Sequence, residues 1–150
     1  MVECCVYAFD KDKSDLVIFN HAFFNDGSKQ MKEQKKELSK GLMDGISFFK
    51  HTLRLATHTW NPVWLYAYKK SFLHTHKLRF HEGILHEDVL FTPQALSYAD
   101  VITVVPDVLY FYRKRAGSIT TDPIKEEQSL KDYFFIAEEL YQFANKIKYQ

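Results

Sequence analysis

The stretch Asp15-Leu16-Val17-Ile18-Phe19-Asn20 constrains the fold more than any other. Its apolar residues are consecutive and partly β-branched, so they cannot alternate between a core face and a solvent face. The run therefore reads as a strand covered on both sides, the pattern of parallel or mixed sheets. Such a strand needs neighbours on its edges and a layer on each face, and a bare edge would invite pairing with another chain. A chain of 150 residues is long enough for one domain that buries about 68–70% of the surface its unfolded form exposes.

The flanking sequence supplies candidates for those layers. Residues 1 to 13 read as the end of a helix, and Asn25-Asp26-Gly27-Ser28 is turn chemistry. Residues 29 to 40 are dominated by charge and fit a loop or a solvated helix equally well. Leu42, Ile46, Phe49 and Leu53 recur at helical spacing. Pro62 suits the first turn of a helix running from about 62 to 74 with Val63, Tyr66, Ala67 and Phe72 on one side. Thr92 and Pro93 suit the start of another helix ending near Ala99. Residues 101–105 and 109–114 read as two strands joined by a short Pro106-Asp107 turn. Asp122 and Pro123 open a long helix with a stripe of Leu130, Tyr133, Phe134, Ala137, Leu140, Tyr141, Ala144 and Ile147. The expectation is an α/β, α+β-like chain with a mixed sheet of three to four strands and flanking helices. Residues 1–122 form its body, and residues 123–150 form an amphipathic helix packed on it.

Several classes of function are disfavoured by composition. Lys and Arg number 20 against 19 Asp and Glu, so no overall field draws the chain to nucleic acid or to an anionic membrane. No apolar run reaches 18 residues, and no signal peptide is recognisable. The expectation is a cytoplasmic protein, with the inner face of the membrane as an alternative place of action. Cys4 and Cys5 are adjacent, which suits neither a disulfide framework nor a zinc site, and they read as reduced, half-buried helix residues.

Gly83-Ile84-Leu85-His86-Glu87-Asp88-Val89-Leu90-Phe91 sets three titratable groups in an apolar frame, as the lip of a pocket would. On a helix or turn, consecutive side chains diverge by about 100°. Glu87 and Asp88 therefore cannot both address one reacting atom: one would do chemistry and the other would hold it. The same pattern also fits acids stabilised at a helix N-terminus. A glycosidase would need a second carboxylate such as Glu82 at about 5–9 Å. A zinc site would have to draw on His74, His76, His81 and His86, whose spacing does not match the helical His-Glu-x-x-His arrangement. Asp10 and Asp12 could flank a divalent cation, but their Lys-rich setting looks like a solvated helix end. Arg113 and Arg115, followed by Gly117 and Ser118, offer guanidinium forks and a turn suited to phosphate oxygens. Trp64 fits a core position or a sugar-stacking platform.

Three segments in order, Trp64–Leu73, Leu78–Phe91 and Leu109–Thr121, strongly resemble the C-terminal half of family-2 glycosyltransferases of the GT-A fold. These enzymes build bacterial capsular, exopolysaccharide and cell-surface glycans, and the resemblance runs from about residue 1 to 125. It implies that Asp88 is the general base of an inverting transfer from a nucleotide-sugar to a glycan or lipid-linked acceptor, with Glu87 as its partner. It places His86 and Trp64 toward the acceptor, and Arg113, Arg115 and Ser118 toward the donor diphosphate. The family's nucleotide-binding half of about a hundred residues and its metal-binding Asp-x-Asp have no counterpart here. Mn²⁺ or Mg²⁺ therefore belongs to the complete enzyme, and none is expected to bind this chain tightly. The alternative is a non-catalytic glycan- or partner-binding module that completes its sheet as a homodimer through an exposed edge.

Overall fold

The computed structural model describes residues 1–27, 31–34, 41–54, 61–114 and 126–148. Helix α1 (Val2–Asp12) ends where Lys13 turns left-handed at φ 55°, which breaks the helical ladder and feeds β1 (Leu16–Asn25). After β2 (Met31–Gln34) and β3 (Gly41–Met43) comes helix α2 (Gly45–Arg54). A single 3₁₀ turn (Val63–Leu65) leads into β4 (Tyr66–Tyr68) and the short helix α3 (Lys70–Thr75). Helix α4 (Glu87–Tyr98), strand β5 (Ile102–Lys114) and helix α5 (Glu126–Lys148) complete the order.

Among the described residues the sheet has five strands, in the order β2-β1-β5-β3 with β4 also on β1. β1 runs parallel to β5, and the other pairings are antiparallel, so the sheet is mixed. The apolar run lies at its centre: Leu16–Ala22 are all buried. Leu16 and Ile18 pack with Phe48, Leu65, Phe91 and Leu96 on one face, while Val17 and Phe19 meet Cys5 and Ala8 of α1 on the other. On the edge of β1 away from β5, β4 pairs with Leu16–Ile18 and β2 with His21–Phe24. The strand number exceeds the expected three to four, because β2 falls in the charged stretch and β4 in a segment whose apolar spacing mimics a helix.

The expected helix over 62–74 is replaced by the 3₁₀ turn, β4 and α3. Leu16↔Tyr68, Val17↔Ala67 and Ile18↔Tyr66 register shows why: β1 needs an edge partner and takes this segment as a strand. The two strands expected around Pro106-Asp107 are one strand with a bulge. Phe19 pairs with Val105 and Asn20 with Val108, leaving Pro106 and Asp107 as extra residues. Asn20 Nδ2 donates to the Pro106 carbonyl at 2.7 Å, satisfying backbone that the interrupted ladder leaves over.

Of the expected stripe, Phe49 packs on the core and Leu42, Ile46 and Leu53 are exposed. Leu42 lies in β3, and Gly45, Phe48 and Thr52 of α2 are buried. Asp44 caps the helix by accepting the Ser47 N–H at 2.8 Å. Gly45 decides the face. Its N–H donates to the Ala99 carbonyl at 2.9 Å, and a Cβ there would lie 1.8 Å from the Leu96 carbonyl oxygen, so α2 touches α4 backbone to backbone.

Cys4 is exposed and Cys5 buried, and both are free thiols. Burial pushes the Cys5 thiol up, with the N-terminal ammonium opposing and Cys4 adding to the rise.

Candidate functional site

The His86-Glu87-Asp88 segment forms the start of α4. The helix is capped at His86, six residues before the expected cap Thr92, and Pro93 lies inside it. His86 is the N-cap in a left-handed conformation (φ 62°, ψ 37°), and Glu87 and Asp88 occupy the first turn, where the helix dipole favours negative charge. The Val89 N–H closes that turn on the His86 carbonyl at 2.9 Å. All three residues are half-buried.

The dipole does not win at Asp88. Burial holds its carboxyl above the usual carboxylate range, and the Glu87 charge adds to this, while the Val89 N–H and His86 pull the other way. Desolvation therefore outweighs the helix terminus, and the proton affinity of Asp88 moves toward neutrality. Its neighbour is Tyr68, whose phenol is pushed well up by burial, lowered by Thr92 and raised by the Asp88 charge. The Thr92 hydroxyl donates to the Asn61 carbonyl at 2.5 Å and lies beside the Tyr68 hydroxyl, which is buried from solvent. A half-buried carboxylate with raised proton affinity can accept a proton from a hydroxyl substrate.

His86 points to the last helix: its Nε2 lies 2.7 Å from Ser129 Oγ, and its ring stacks on Tyr133 at 4.7 Å and 15°. Trp64 joins a ring cluster, stacked on Tyr110 at 4.8 Å, tilted against Tyr112 at 5.0 Å and edge-on to His21 at 4.9 Å. Tyr110 thus takes one of its ring faces. Arg113 is exposed near the end of β5, its Nη1 4.0 Å from the carboxylate of the equally exposed Asp26, a pair worth little in water. Arg115 and Ser118 lie outside the described residues.

The histidines do not converge. His76 stacks on Tyr98, His81 meets the edge of Phe135 and His86 stacks on Tyr133. Among the described residues no three His, Cys, Asp or Glu side chains group to hold a metal ion. Asp10 and Asp12 lie on α1, and Asp12 Oδ2 is engaged by the Thr103 hydroxyl at 3.0 Å. Asp12 is thus tied to β5 among the described residues. Among them, too, no helix is long and apolar enough to cross a membrane.

Similarity to known proteins lies in three dimensions. No family model and no curated protein matches the chain in sequence. The crystal structure of S. aureus TarS 1–349 in complex with UDP-GlcNAc superposes with a TM-score of 0.66 at 19% identity, over 92% of this chain and 38% of that one. A second TarS 1–349 crystal structure gives a TM-score of 0.48 at 18% identity, over 71% and 30%. The chain has the mixed α/β fold of a fragment of the TarS glycosyltransferase. It spans well under half of that chain's length.

Tyr68, Ser129 and Asp132 carry no mark of a site in the sequence, and Thr92 and Tyr133 stand there only as a helix cap and a member of the α5 stripe. Asp132 falls on the helical face of Ile136, Leu140 and Phe143, where a carboxylate is out of place unless its oxygens are bonded, but only the packing of α5 reveals that this is the inner face.

Proposed function

We propose that this chain is the acceptor-side, catalytic-base part of an inverting glycosyltransferase of the bacterial capsular or exopolysaccharide type. Asp88 takes the proton from an acceptor hydroxyl as that oxygen bonds to the anomeric carbon of a nucleotide-sugar. The bond from that carbon to the diphosphate breaks on the opposite side, so the configuration inverts and the nucleotide diphosphate leaves with the electron pair. Glu87 raises the basicity of Asp88 by its charge, and Tyr68 stands beside Asp88 as a buried neutral phenol. Trp64 presents ring surface to the glycan. Arg113, Arg115 and Ser118 offset charge on the departing diphosphate.

The observation that carries this reading is Asp88 itself, half-buried in the first turn of α4 with its proton affinity raised by burial. The fold likeness to a UDP-GlcNAc-bound glycosyltransferase supports it. The division into residues 1–122 and a packed helix over 123–150, and action at the inner face of the membrane, belong to the same proposal. A divalent ion in the complete enzyme would neutralise diphosphate charge with ligands from elsewhere.

The test is amide chemical-shift mapping with UDP-GlcNAc and Mn²⁺, and separately with short oligosaccharides. The reading expects oligosaccharide shifts centred on Tyr68 and residues 86–89, and donor shifts at Arg113 that vanish in Arg113→Ala. Absence of shifts at both places with every ligand would sink it.

A further inference from the structure

The turn before Asp88 is conformationally costly and is held from one direction. Gly83 and His86 both have positive φ, 84° and 62°, a region uncommon for any residue but glycine even though His tolerates it better than most. No side chain caps α4 at its start. The restraints come from α5. Asp132 Oδ2 accepts the Leu85 N–H at 2.8 Å, Ser129 Oγ meets His86 Nε2 at 2.7 Å, Tyr133 stacks under the His86 ring, and Phe135 packs against His81.

Asp132 is the informative member. It is 6% exposed on a helix whose adjacent residues Lys131 and Tyr133 face solvent. A carboxylate in that setting is unfavourable unless its oxygens are bonded. Both are: Gln128 Nε2 donates to Oδ1 at 2.7 Å while Oδ2 holds Leu85. No cation pairs with it among the described residues. Packing alone would favour an aliphatic residue beside Ile136. The carboxylate instead fixes one backbone N–H, that of the residue preceding the left-handed N-cap.

We infer that Asp132, assisted by Ser129, is a positioning residue: from α5 it locks the Leu85-His86 turn and thereby sets where the first turn of α4 places Asp88. This rests on the proposed role of Asp88, but its geometry is testable without any sugar. An anchored N-cap keeps the first turn of α4 closed, and so keeps Asp88 in its half-buried position.

The experiment compares wild type, Asp132→Ala, Asp132→Asn and Ser129→Ala in the full chain. It reads Leu85 amide exchange and the Asp88 carboxyl-carbon titration by NMR, with circular dichroism to confirm folding. Asp132→Ala should speed Leu85 exchange by at least about tenfold through local opening, and should return the Asp88 midpoint toward the ordinary carboxylate range. Asp132→Asn keeps an acceptor oxygen for Leu85, and Gln128 can turn its carbonyl to the new amide, so both readouts should recover. Ser129→Ala should move both in the same direction by less. An unmoved Asp88 midpoint in folded Asp132→Ala overturns the inference. So does an Asn variant that behaves like Ala, because loss of charge would then be the cause. If Asp132→Ala does not fold, an unmoved midpoint in Ser129→Ala overturns it. Failure of ligand mapping would remove the proposed function and leave this clamp standing.

Discussion

Leu16–Ala22 of β1 are buried without interruption, and Asn20 and His21 within that run are 2% exposed. At the α4–α5 corner none of His86, Glu87 and Asp88 is fully buried, and α5 exposes Leu130, Phe134 and Tyr141 at 58%, 72% and 64%. The sheet centre is held by apolar contact on both faces, which is non-directional and collectively large. The corner is held by a few directional polar contacts, each worth about 0.5–1.5 kcal/mol net. Substitutions at the centre should therefore alter global stability, and substitutions at the corner should alter local geometry and proton affinity.

The sharpest way to break that contrast is Phe48→Ala. Phe48 is fully buried against the sheet, and its loss should cost about 3–5 kcal/mol in denaturant unfolding. A cost below about 1 kcal/mol would mean that the centre is not the stability core. Gly45→Ala comes next. Its methyl would meet the Leu96 carbonyl oxygen at 1.8 Å and force α2 from α4, destabilising by about 1–3 kcal/mol.

Asp88→Asn should do the reverse. Because the folded carboxyl is raised above its unfolded value, the stability linked to it is present below the unfolded pKa and lost as pH rises through the folded one. At neutral pH the Asn variant should therefore melt slightly higher than wild type, and the advantage should vanish in acid. The smallest effect belongs to Phe134→Ser on the exposed face of α5, within about 0.5 kcal/mol. A larger loss there would mean that the exposed face is packed in solution.

Legibility in the sequence followed the same division. The unbroken apolar run identified β1 and its double cover, because no amphipathic element can carry that pattern. β4 was hidden because Val63, Tyr66, Ala67 and Phe72 fit helical spacing, and only the demand of β1 for an edge partner makes the segment a strand. Pro106-Asp107 suggested a turn, but a bulge with Asn20 donating to Pro106 accommodates it equally well. In α5 apolar residues occur nearly all round, so periodicity could not select the face of Asp132, Ile136, Leu140 and Phe143 over that of Leu130, Phe134 and Tyr141. Asp88 was legible as a charge in an apolar frame. The residues that hold it were not, because each is an ordinary surface type that gains meaning only when α5 meets residues 81–86.

The most direct measurement is the carboxyl-carbon titration of Asp88 in the wild-type chain, with and without saturating oligosaccharide. The account predicts a midpoint above the ordinary carboxylate range that shifts when an acceptor occupies the site. An Asp88 that titrates as a free side chain and ignores every acceptor would contradict its role as the base.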